Sequence, residues 1–408
     1  MKVRALSIWF LVGTVALAIL CSSCGDSTKP GAPGSPTAPG SNPPPPGSPA
    51  SGGFAAGIGG AGQTAAAHFL IGVQVPGATP FPTVIGSSGT LTAAKATGNP
   101  VGETNPMAVV GAIDPSGSFL YQADWSGLTA FTIDRQTGNL TEMPNSPYES
   151  SEKFVGVAVD QMGKFVYAYA GTQVSAFSIQ AGSGQLSPIG GSPFTAADTG
   201  QEFDTASERI AVSQDDKFLF VGTGSGIFAY SIDPSTGALT MVQGSPFGSG
   251  AGLAVAIVAP SSGFLYEGTG GGKTPIHGYK IDSSTGALTE ISGSPFGSNC
   301  STSNLTSPAS GKFLYGPGCG MYQIDTTNGA LTNLFADPLA PNSNWAVFDP
   351  TSAFLWELNS QEPCFSCDIG VTTFQVDANT GKMTEVSNSF FFMTNTEVGD
   401  VQSLAITH

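Results

Sequence analysis

The chain has 408 residues, of which only 10% are charged, and it combines 55 glycines and 30 prolines with a formal net charge of −16. This composition favours many short strands joined by tight turns and excludes a mainly helical fold, which would need periodic runs of Ala, Leu, Glu and Lys. The negative charge argues against a nucleic-acid-binding surface; it favours solubility or, alternatively, the attraction of cationic partners.

The first residues have the pattern of an export signal. Lys2 and Arg4 precede an apolar run from Ile8 to Leu20, which is shorter than the roughly 20 residues that span a bilayer but suits a signal peptide. The following Leu-Cys-Ser-Ser-Cys segment resembles a bacterial lipobox, in which Cys24 is lipidated. We therefore predict a lipoprotein signal peptide over residues 1–23 and an extracytoplasmic protein, lipid-anchored to a bacterial cell membrane or outer membrane. If the lipobox interpretation fails, the protein is simply secreted.

Residues 24–63 are mostly Pro, Gly, Ser, Ala and Thr, and include four consecutive prolines at 43–46. Such a segment cannot bury enough apolar surface to offset the entropy of ordering, so we predict a disordered tether. The tether would hold a folded domain, residues 64–408, away from the membrane.

Two short elements recur seven times along residues 64–408. An apolar triplet of the Phe-Leu-Tyr type begins at Phe69, Phe119, Phe165, Phe218, Phe264, Phe313 and Phe354. A Gly-x-Leu-Thr element follows each triplet, with its Leu at 91, 140, 186, 239, 288 and 331 and with Met383 in the same place. Repetition at about 50 residues indicates a repeat architecture.

Each repeat predicts four antiparallel strands. Residues 155–159 are typical of an inner strand, the apolar triplet of a second strand, residues 176–179 of a third, and Leu-Thr of an outer one. Turns such as Asp-Pro-Ser-Gly at 114–117 join them, because Pro pre-sets φ and Gly accepts positive φ. We predict an all-β, seven-bladed β-propeller. The C-terminal segment 401–406 is expected to pair with the first repeat, close blade one and remove the open edges.

The Ile-Asp-x-x-Thr-Gly-x-Leu-Thr and Gly-Ser-Pro-Phe elements resemble those of the lactonase-type seven-bladed propellers, the group of 6-phosphogluconolactonase-like proteins, over residues 64–408. The resemblance implies the propeller fold and, for an active member, hydrolysis of a sugar lactone. Enzymes of that group tend to carry Pro-His before an inner strand and Asp-x-Gly-x-Asp after a second strand. Here one such position has Pro106-Met107, and only Asp124 keeps a trace of the second pattern.

Four cysteines remain beyond the signal and the lipidation site, and an exported protein favours disulfides. Cys300 falls just before a predicted inner strand and Cys319 just after the antiparallel strand that follows, so we expect a Cys300–Cys319 bond. Cys364 and Cys367 lie in an insertion, where a small disulfide is favoured over zinc because no further ligands are near.

Candidate site residues lie on loops at one mouth of the central channel. A long loop before an inner strand contains Asp198, Glu202, Asp204, Glu208 and Arg209, and Asp124 and Trp125 follow a second strand. Trp345 precedes another inner strand, and Trp356 and Glu357 end the next strand. Glu208, Arg209 and Asp124 could polarise a lactone carbonyl and activate water; alternatively, Glu208 and Arg209 only pair with each other. Trp125 and Trp345 could stack on a sugar ring, or pack between blades.

Two functions follow from these patterns. The first is a membrane-anchored binding or scaffold module. Its mouth would bind a protein, a glycan or a cation through the acidic loop residues and the two tryptophans. The second is a lactonase-like hydrolase or isomerase of sugar lactones. His68, His277 and His408 do not form a catalytic set, and no P-loop, dinucleotide fingerprint or calcium loop is present, so we expect no cofactor and no metal. We expect a monomer that contacts the membrane only through its lipid.

Overall fold

Short strands make up the regular structure of the described residues, and no helix occurs among them. The computed structural model describes residues 68–75, 80–93, 110–196, 209–248, 254–261, 263–269, 274–300, 304–339, 343–360, 369–392 and 400–407. All of these residues belong to one compact unit, Gln63–His408.

The strands fall into seven antiparallel sheets, which are described in chain order. The first strands are β1 (His68–Val75), β2 (Pro80–Ile85), β3 (Leu91–Ala93), β4 (Val110–Ile113), β5 (Phe119–Asp124), β6 (Gly127–Ile133), β7 (Leu140–Glu142), β8 (Gly156–Val159), β9 (Phe165–Tyr169) and β10 (Gln173–Ile179). Next come β11 (Leu186–Pro188), β12 (Phe194–Thr195), β13 (Ile210–Val212), β14 (Phe218–Thr223), β15 (Gly226–Ile232), β16 (Leu239–Met241), β17 (Ala254–Ser261), β18 (Phe264–Thr269), β19 (Thr274–Ile281) and β20 (Leu288–Glu290). The last are β21 (Phe296–Cys300), β22 (Phe313–Gly316), β23 (Gly320–Ile324), β24 (Leu331–Phe335), β25 (Ser343–Phe348), β26 (Phe354–Ser360), β27 (Ile369–Val376), β28 (Met383–Glu385), β29 (Phe391–Phe392) and β30 (Asp400–Ile406).

The sheets are the seven blades of a β-propeller, which confirms the predicted fold. Blade 1 has the strand order β3-β2-β1-β30, blade 2 is β4–β7, blade 3 β8–β11, blade 4 β13–β16, blade 5 β17–β20, blade 6 β22–β24 and blade 7 β25–β28. The short strands β12, β21 and β29 add to the third strands of blades 3, 5 and 7. In the described part of blade 6, the inner position holds one bridge, between Thr306 and Tyr315.

The ring closes as the sequence predicted. β30 pairs antiparallel with β1, so that Leu70 lies opposite Ile406 and Gly72 opposite Leu404. Just beyond the strand, the hydroxyl of Thr407 accepts the N–H of Phe69 at 2.8 Å, and the Thr407 N–H donates back to the Phe69 carbonyl at 3.0 Å. Strands from the two ends of the described chain therefore form one blade.

Thr407 replaces a side chain that other blades supply from a local turn. In each case an oxygen just after the inner strand accepts the N–H of the Phe that begins the second strand. The pairs are Asp114 with Phe119, Asp160 with Phe165, Ser213 with Phe218, and Asp349 with Phe354. This shared contact explains why the turns favour a short polar residue at this position.

Neighbouring blades interlock through the two repeated elements. The Phe ring of each second strand lies against the Gly of a Gly-x-Leu-Thr turn in the next blade, and each of these glycines has a positive φ. The seven pairs are Phe69–Gly138, Phe119–Gly184, Phe165–Gly237, Phe218–Gly286, Phe264–Gly329, Phe313–Gly381 and Phe354–Gly89. A Cβ on any of these glycines would lie within 3.0 Å of the ring, so glycine is required both by the backbone and by the contact.

The Ser-Pro-Phe elements hold the third strands. The hydroxyls of Ser146, Ser192, Ser245 and Ser294 each accept a backbone N–H of the third strand of their own blade, at 2.9–3.1 Å. Ser389 makes the same bond in blade 7 at 3.1 Å although no Pro follows it. The hydrophobic core lies between adjacent blades, as in the cluster that joins Tyr167 and Val174 of blade 3 to Val221 and Tyr230 of blade 4.

Candidate functional site

The ring has two ends, and four of the candidate residues that the structure describes lie towards one of them. Because the four strands of a blade run up and down in turn, the inner strands begin and the second strands end on the same side, which we call the loop face. The tight turns that follow the inner and third strands lie on the opposite side, the turn face. Asp124, Trp125, Arg209 and Trp345 all lie towards the loop face.

Asp124, at the end of β5, is held inside the scaffold. Its side chain is 1% exposed. One carboxylate oxygen accepts the backbone N–H and the hydroxyl of Ser126 at 2.6 and 2.5 Å, and the other accepts the amide of Gln122 at 3.3 Å. These bonds fix the turn from β5 to β6, so the structure shows a turn-forming role for this carboxylate.

Trp125 directly follows Asp124 and is partly buried against the core between blades 3 and 4. The ammonium group of Lys153, an exposed residue, lies 4.4 Å from the centroid of its ring. A cation over an indole face is a favourable arrangement. Of the predicted binding residues that the structure describes, Trp125 is the one that reaches solvent, and Lys153 joins it there.

Arg209 immediately precedes β13 and is fully buried. Its carbonyl accepts the N–H of Gly222 at 2.8 Å, which extends the pairing of β13 with β14 by one residue. The acidic residues that the sequence placed beside it, Asp198, Glu202, Asp204 and Glu208, lie outside the described residues. The predicted pairing of Glu208 with Arg209 therefore stays a prediction.

Trp345 is 1% exposed and packs with Leu70, Trp356 and Leu358 in the core cluster between blades 7 and 1. Of the two roles that the sequence left open for this side chain, packing between blades is the one that matches its position. The indole N–H of Trp356 donates to the Gly89 carbonyl at 3.1 Å, which ties blade 7 to blade 1.

A buried carboxylate–tyrosine pair joins blades 6 and 7. The hydroxyl of Tyr315 donates to Glu357 at 2.8 Å, and Glu357 is fully buried. Burial raises the pKa of Tyr315, and the nearby carboxylates of Glu357 and Asp337 raise it further. Asp337 in turn accepts the N–H groups of Gly318 and Leu339 at 2.5 and 2.7 Å.

A second such pair lies in blade 5. The hydroxyl of Tyr279 donates to Glu267 at 3.1 Å, and burial raises the pKa of Glu267. His277 lies directly across from Glu267 in the strand register and contacts Glu290 at 3.3 Å. The sequence carries a signal for both pairs: each glutamate takes the fourth place of a second strand, which Ala168 and Val221 fill in blades 3 and 4.

The remaining predicted residues are cysteines, and only some of them lie within the residues that the structure describes. Cys319 lies in the turn between β22 and β23 and is buried. The side chain of Cys300 is not among those described, so its pairing with Cys319 stays a prediction. Cys24, Cys364 and Cys367 fall outside the described residues.

Two further observations concern the described residues alone. They contain no group of three or more His, Cys, Asp or Glu side chains placed to hold a metal ion. No helix long and apolar enough to cross a membrane occurs among them.

No family model and no curated protein matches the chain. Solved structures do. A protein of Bacteroides fragilis, described only provisionally as a 6-phosphogluconolactonase, has a TM-score of 0.61 and 16% identity, with 85% of this chain and 99% of that chain covered. A similarly described protein of Bacteroides uniformis has a TM-score of 0.60 and 17% identity, with 84% and 99% covered. A protein of Lactobacillus plantarum has a TM-score of 0.61 and 17% identity, with 84% and 100% covered. This chain therefore has the seven-bladed propeller fold of the 6-phosphogluconolactonase-like proteins.

Proposed function

We propose that this chain is a binding module, held outside the cytoplasm by a lipid on Cys24, whose loop face engages a glycan or a protein partner through Trp125 and Lys153. The observation that supports this choice is the contrast on the loop face between these two side chains and their neighbours. Trp125 and Lys153 reach solvent, whereas Asp124 and Arg209 are buried.

A binding role uses the features that the described part of the loop face offers. An acid or base that acts in catalysis must come within hydrogen-bond reach of a substrate, directly or through one water. Asp124 is covered and already accepts three hydrogen bonds within its own turn. An indole beside an amine suits recognition instead, because a flat aromatic surface buries much area at low entropic cost and the amine adds a donor.

The test compares Trp125→Ala and Lys153→Ala with the wild type, first on a glycan array and then by affinity capture from an envelope extract. Tryptophan is a frequent hot-spot residue, so its removal should weaken binding by at least about tenfold. Met162→Ala is the matched control, because Met162 is 64% exposed but lies on the turn face. A partner that binds the Trp125→Ala variant as tightly as the wild type would contradict the proposal.

The anchoring part is tested separately. Cys24→Ser should move the protein from the membrane fraction to the soluble extracytoplasmic fraction without changing ligand affinity. Retention of the variant in the membrane fraction would contradict the lipid anchor and leave the binding proposal standing.

The second candidate is a lactonase-like hydrolase or isomerase of sugar lactones. Its support is the propeller fold shared with proteins described provisionally as 6-phosphogluconolactonases. Glu208, Arg209 and Asp124 would carry the chemistry. Turnover of 6-phosphogluconolactone or related lactones by the wild type, lost in Glu208→Ala and Arg209→Ala variants that still fold, would support the enzyme. No turnover across a panel of sugar lactones would remove it.

A further inference from the structure

A cavity of about 340 Å³ lies on the turn face, where blade 7 meets blade 1. Its walls combine Ile85 and Ile406 of blade 1 with Phe354 and Trp356 of blade 7, and Asp349 also lines it. Small-molecule sites usually have volumes of roughly 300–1,000 Å³, mainly apolar walls and a few polar groups. We call this space the seam cavity.

The seam cavity has a cause in the topology. At two other junctions the turns between inner and second strands contact one another: the N–H of Gln161 donates to Asp216 at 2.7 Å, and that of Ala309 to Ser352 at 3.1 Å. In blade 1 the inner strand β30 and the second strand β1 lie far apart in the chain, so no tight turn joins them. Within the residues that the structure describes, the blade 7 turn that begins at Asp349 therefore has no matching turn beside it on the blade 1 side, and the cavity lies there.

Asp349 brings a negative charge to this space. Its side chain is 8% exposed, and its oxygens accept the N–H of Phe354 at 2.7 Å together with the N–H and the hydroxyl of Thr351. These donors are all neutral, and within the described residues no Lys, Arg or His forms a salt bridge with Asp349; the exposed His68 also lines the cavity. Because charges interact strongly where water is excluded, the carboxylate favours a cationic ligand.

The aromatic wall favours the same class of ligand. The rings of Phe354 and Trp356 have centroids 6.1 Å apart and an angle of 32° between their planes. Both are fixed against Gly89, Phe354 by packing and Trp356 by its hydrogen bond, so the wall is formed before any ligand arrives. Aromatic faces attract organic cations, and the net charge of −16 would raise the local concentration of cations.

We propose that the seam cavity binds a small organic cation with an apolar body, of the arylalkylammonium class. The ammonium group lies at Asp349, which is hydrogen-bonded directly to Phe354, and the ring lies against Phe354, which is partly exposed, whereas Trp356 is 1% exposed. This site is on the face opposite Trp125 and Lys153, so it does not depend on the function proposed for the loop face.

The test is isothermal titration calorimetry with three probes of similar shape: 2-phenylethylammonium, the neutral 2-phenylethanol and the anionic phenylacetate. The ammonium ion should bind at least roughly tenfold more tightly than the alcohol, and phenylacetate should not bind. Asp349→Asn should abolish the preference for the cation, because the amide oxygen keeps an acceptor for the Phe354 N–H but the charge is gone.

Asp114→Asn is the matched control, because Asp114 makes the same kind of turn in blade 2 and does not line the cavity. It should bind the ammonium ion like the wild type. Ser87→Trp, at an exposed residue of the cavity wall, should block binding and decides the matter if Asp349→Asn does not fold. Equal binding of ammonium ion and alcohol, no binding of either, an unchanged preference in Asp349→Asn, an equal loss in Asp114→Asn, or full binding by Ser87→Trp would each overturn the proposal.

Discussion

The interlock between a second-strand Phe and a turn Gly can be tested at the seam with Gly89→Ala. Gly89 has a φ of 78°, and an added Cβ would lie 2.5 Å from Cδ1 and 2.7 Å from Cε1 of Phe354. The left-handed conformation alone costs an alanine about 1–2 kcal/mol. Moving the ring of a packed residue adds about 1–3 kcal/mol. We therefore expect Gly89→Ala to lower the free energy of unfolding by about 2–5 kcal/mol.

Gly182→Ala separates the two contributions. Gly182 has nearly the same φ, 80°, but an added Cβ would meet nothing within 4 Å, so only the conformational cost of about 1–2 kcal/mol applies. Urea unfolding of both variants, followed by tryptophan fluorescence and by circular dichroism, measures the difference. Equal destabilisation of the two variants, within about 0.5 kcal/mol, would refute the claim that the Gly89–Phe354 contact excludes a side chain.

Three further predictions concern polar groups of the ring. Thr407→Val keeps the shape of the side chain but leaves the buried N–H of Phe69 without its acceptor, so unfolding should require about 1–3 kcal/mol less and thermolysin should cleave blade 1 faster; unchanged stability and cleavage would contradict the role of Thr407 in closure. Burial raises the pKa of Glu267 above its ordinary value of 4.5, so its contribution favours the fold when it is protonated and weakens it as the pH rises through the raised pKa. Glu267→Gln should accordingly be more stable than the wild type at pH 7, with the advantage shrinking as the pH falls towards 4.5, as measured by urea midpoints; an advantage independent of pH would contradict this. Tyr315→Phe leaves Glu357 without its hydroxyl donor and should destabilise the protein by about 1–3 kcal/mol, and adding Glu357→Gln should recover part of the loss; simple additivity in the double variant would argue against the pair.

The parts of the fold that sequence reasoning found are those in which local chemistry and repetition agree. Gly237 and Asp233 mark the turn before an outer strand because positive φ and an Asx turn need those residue types, and the same pair recurs at Asp282 and Gly286. Closure of blade 1 was predicted because the first repeat begins at its second strand and the segment 401–406 has the pattern of an inner strand. Both inferences use the period of the pattern and no knowledge of distant contacts.

Contacts between blades could not be found in this way. Nothing in the local pattern shows that Thr407 takes the place of Asp114, because the two residues differ and Thr407 acts on a strand 338 positions away. The sequence predicted an inner strand for blade 6, and among the described residues this position holds the bridge between Thr306 and Tyr315, a shortening that the repeat pattern does not show. The burial of Arg209 was likewise missed, because a charged residue on a predicted loop is expected to be solvated.

The distribution of these contacts explains why the repeats indicate the fold so well and the activity so poorly. The turn Gly is needed for its φ and for the neighbouring Phe, and the Ser of Ser-Pro-Phe holds a third strand. Residues that serve the same structural contact in several blades have little freedom to serve a ligand in one. We therefore expect function to rest on residues that depart from the repeat, such as Trp125 on the loop face, and on the seam, where Asp349 and Phe354 make the repeated contacts but also line a cavity. Substitutions at these departures are the ones expected to change function while leaving the ring intact.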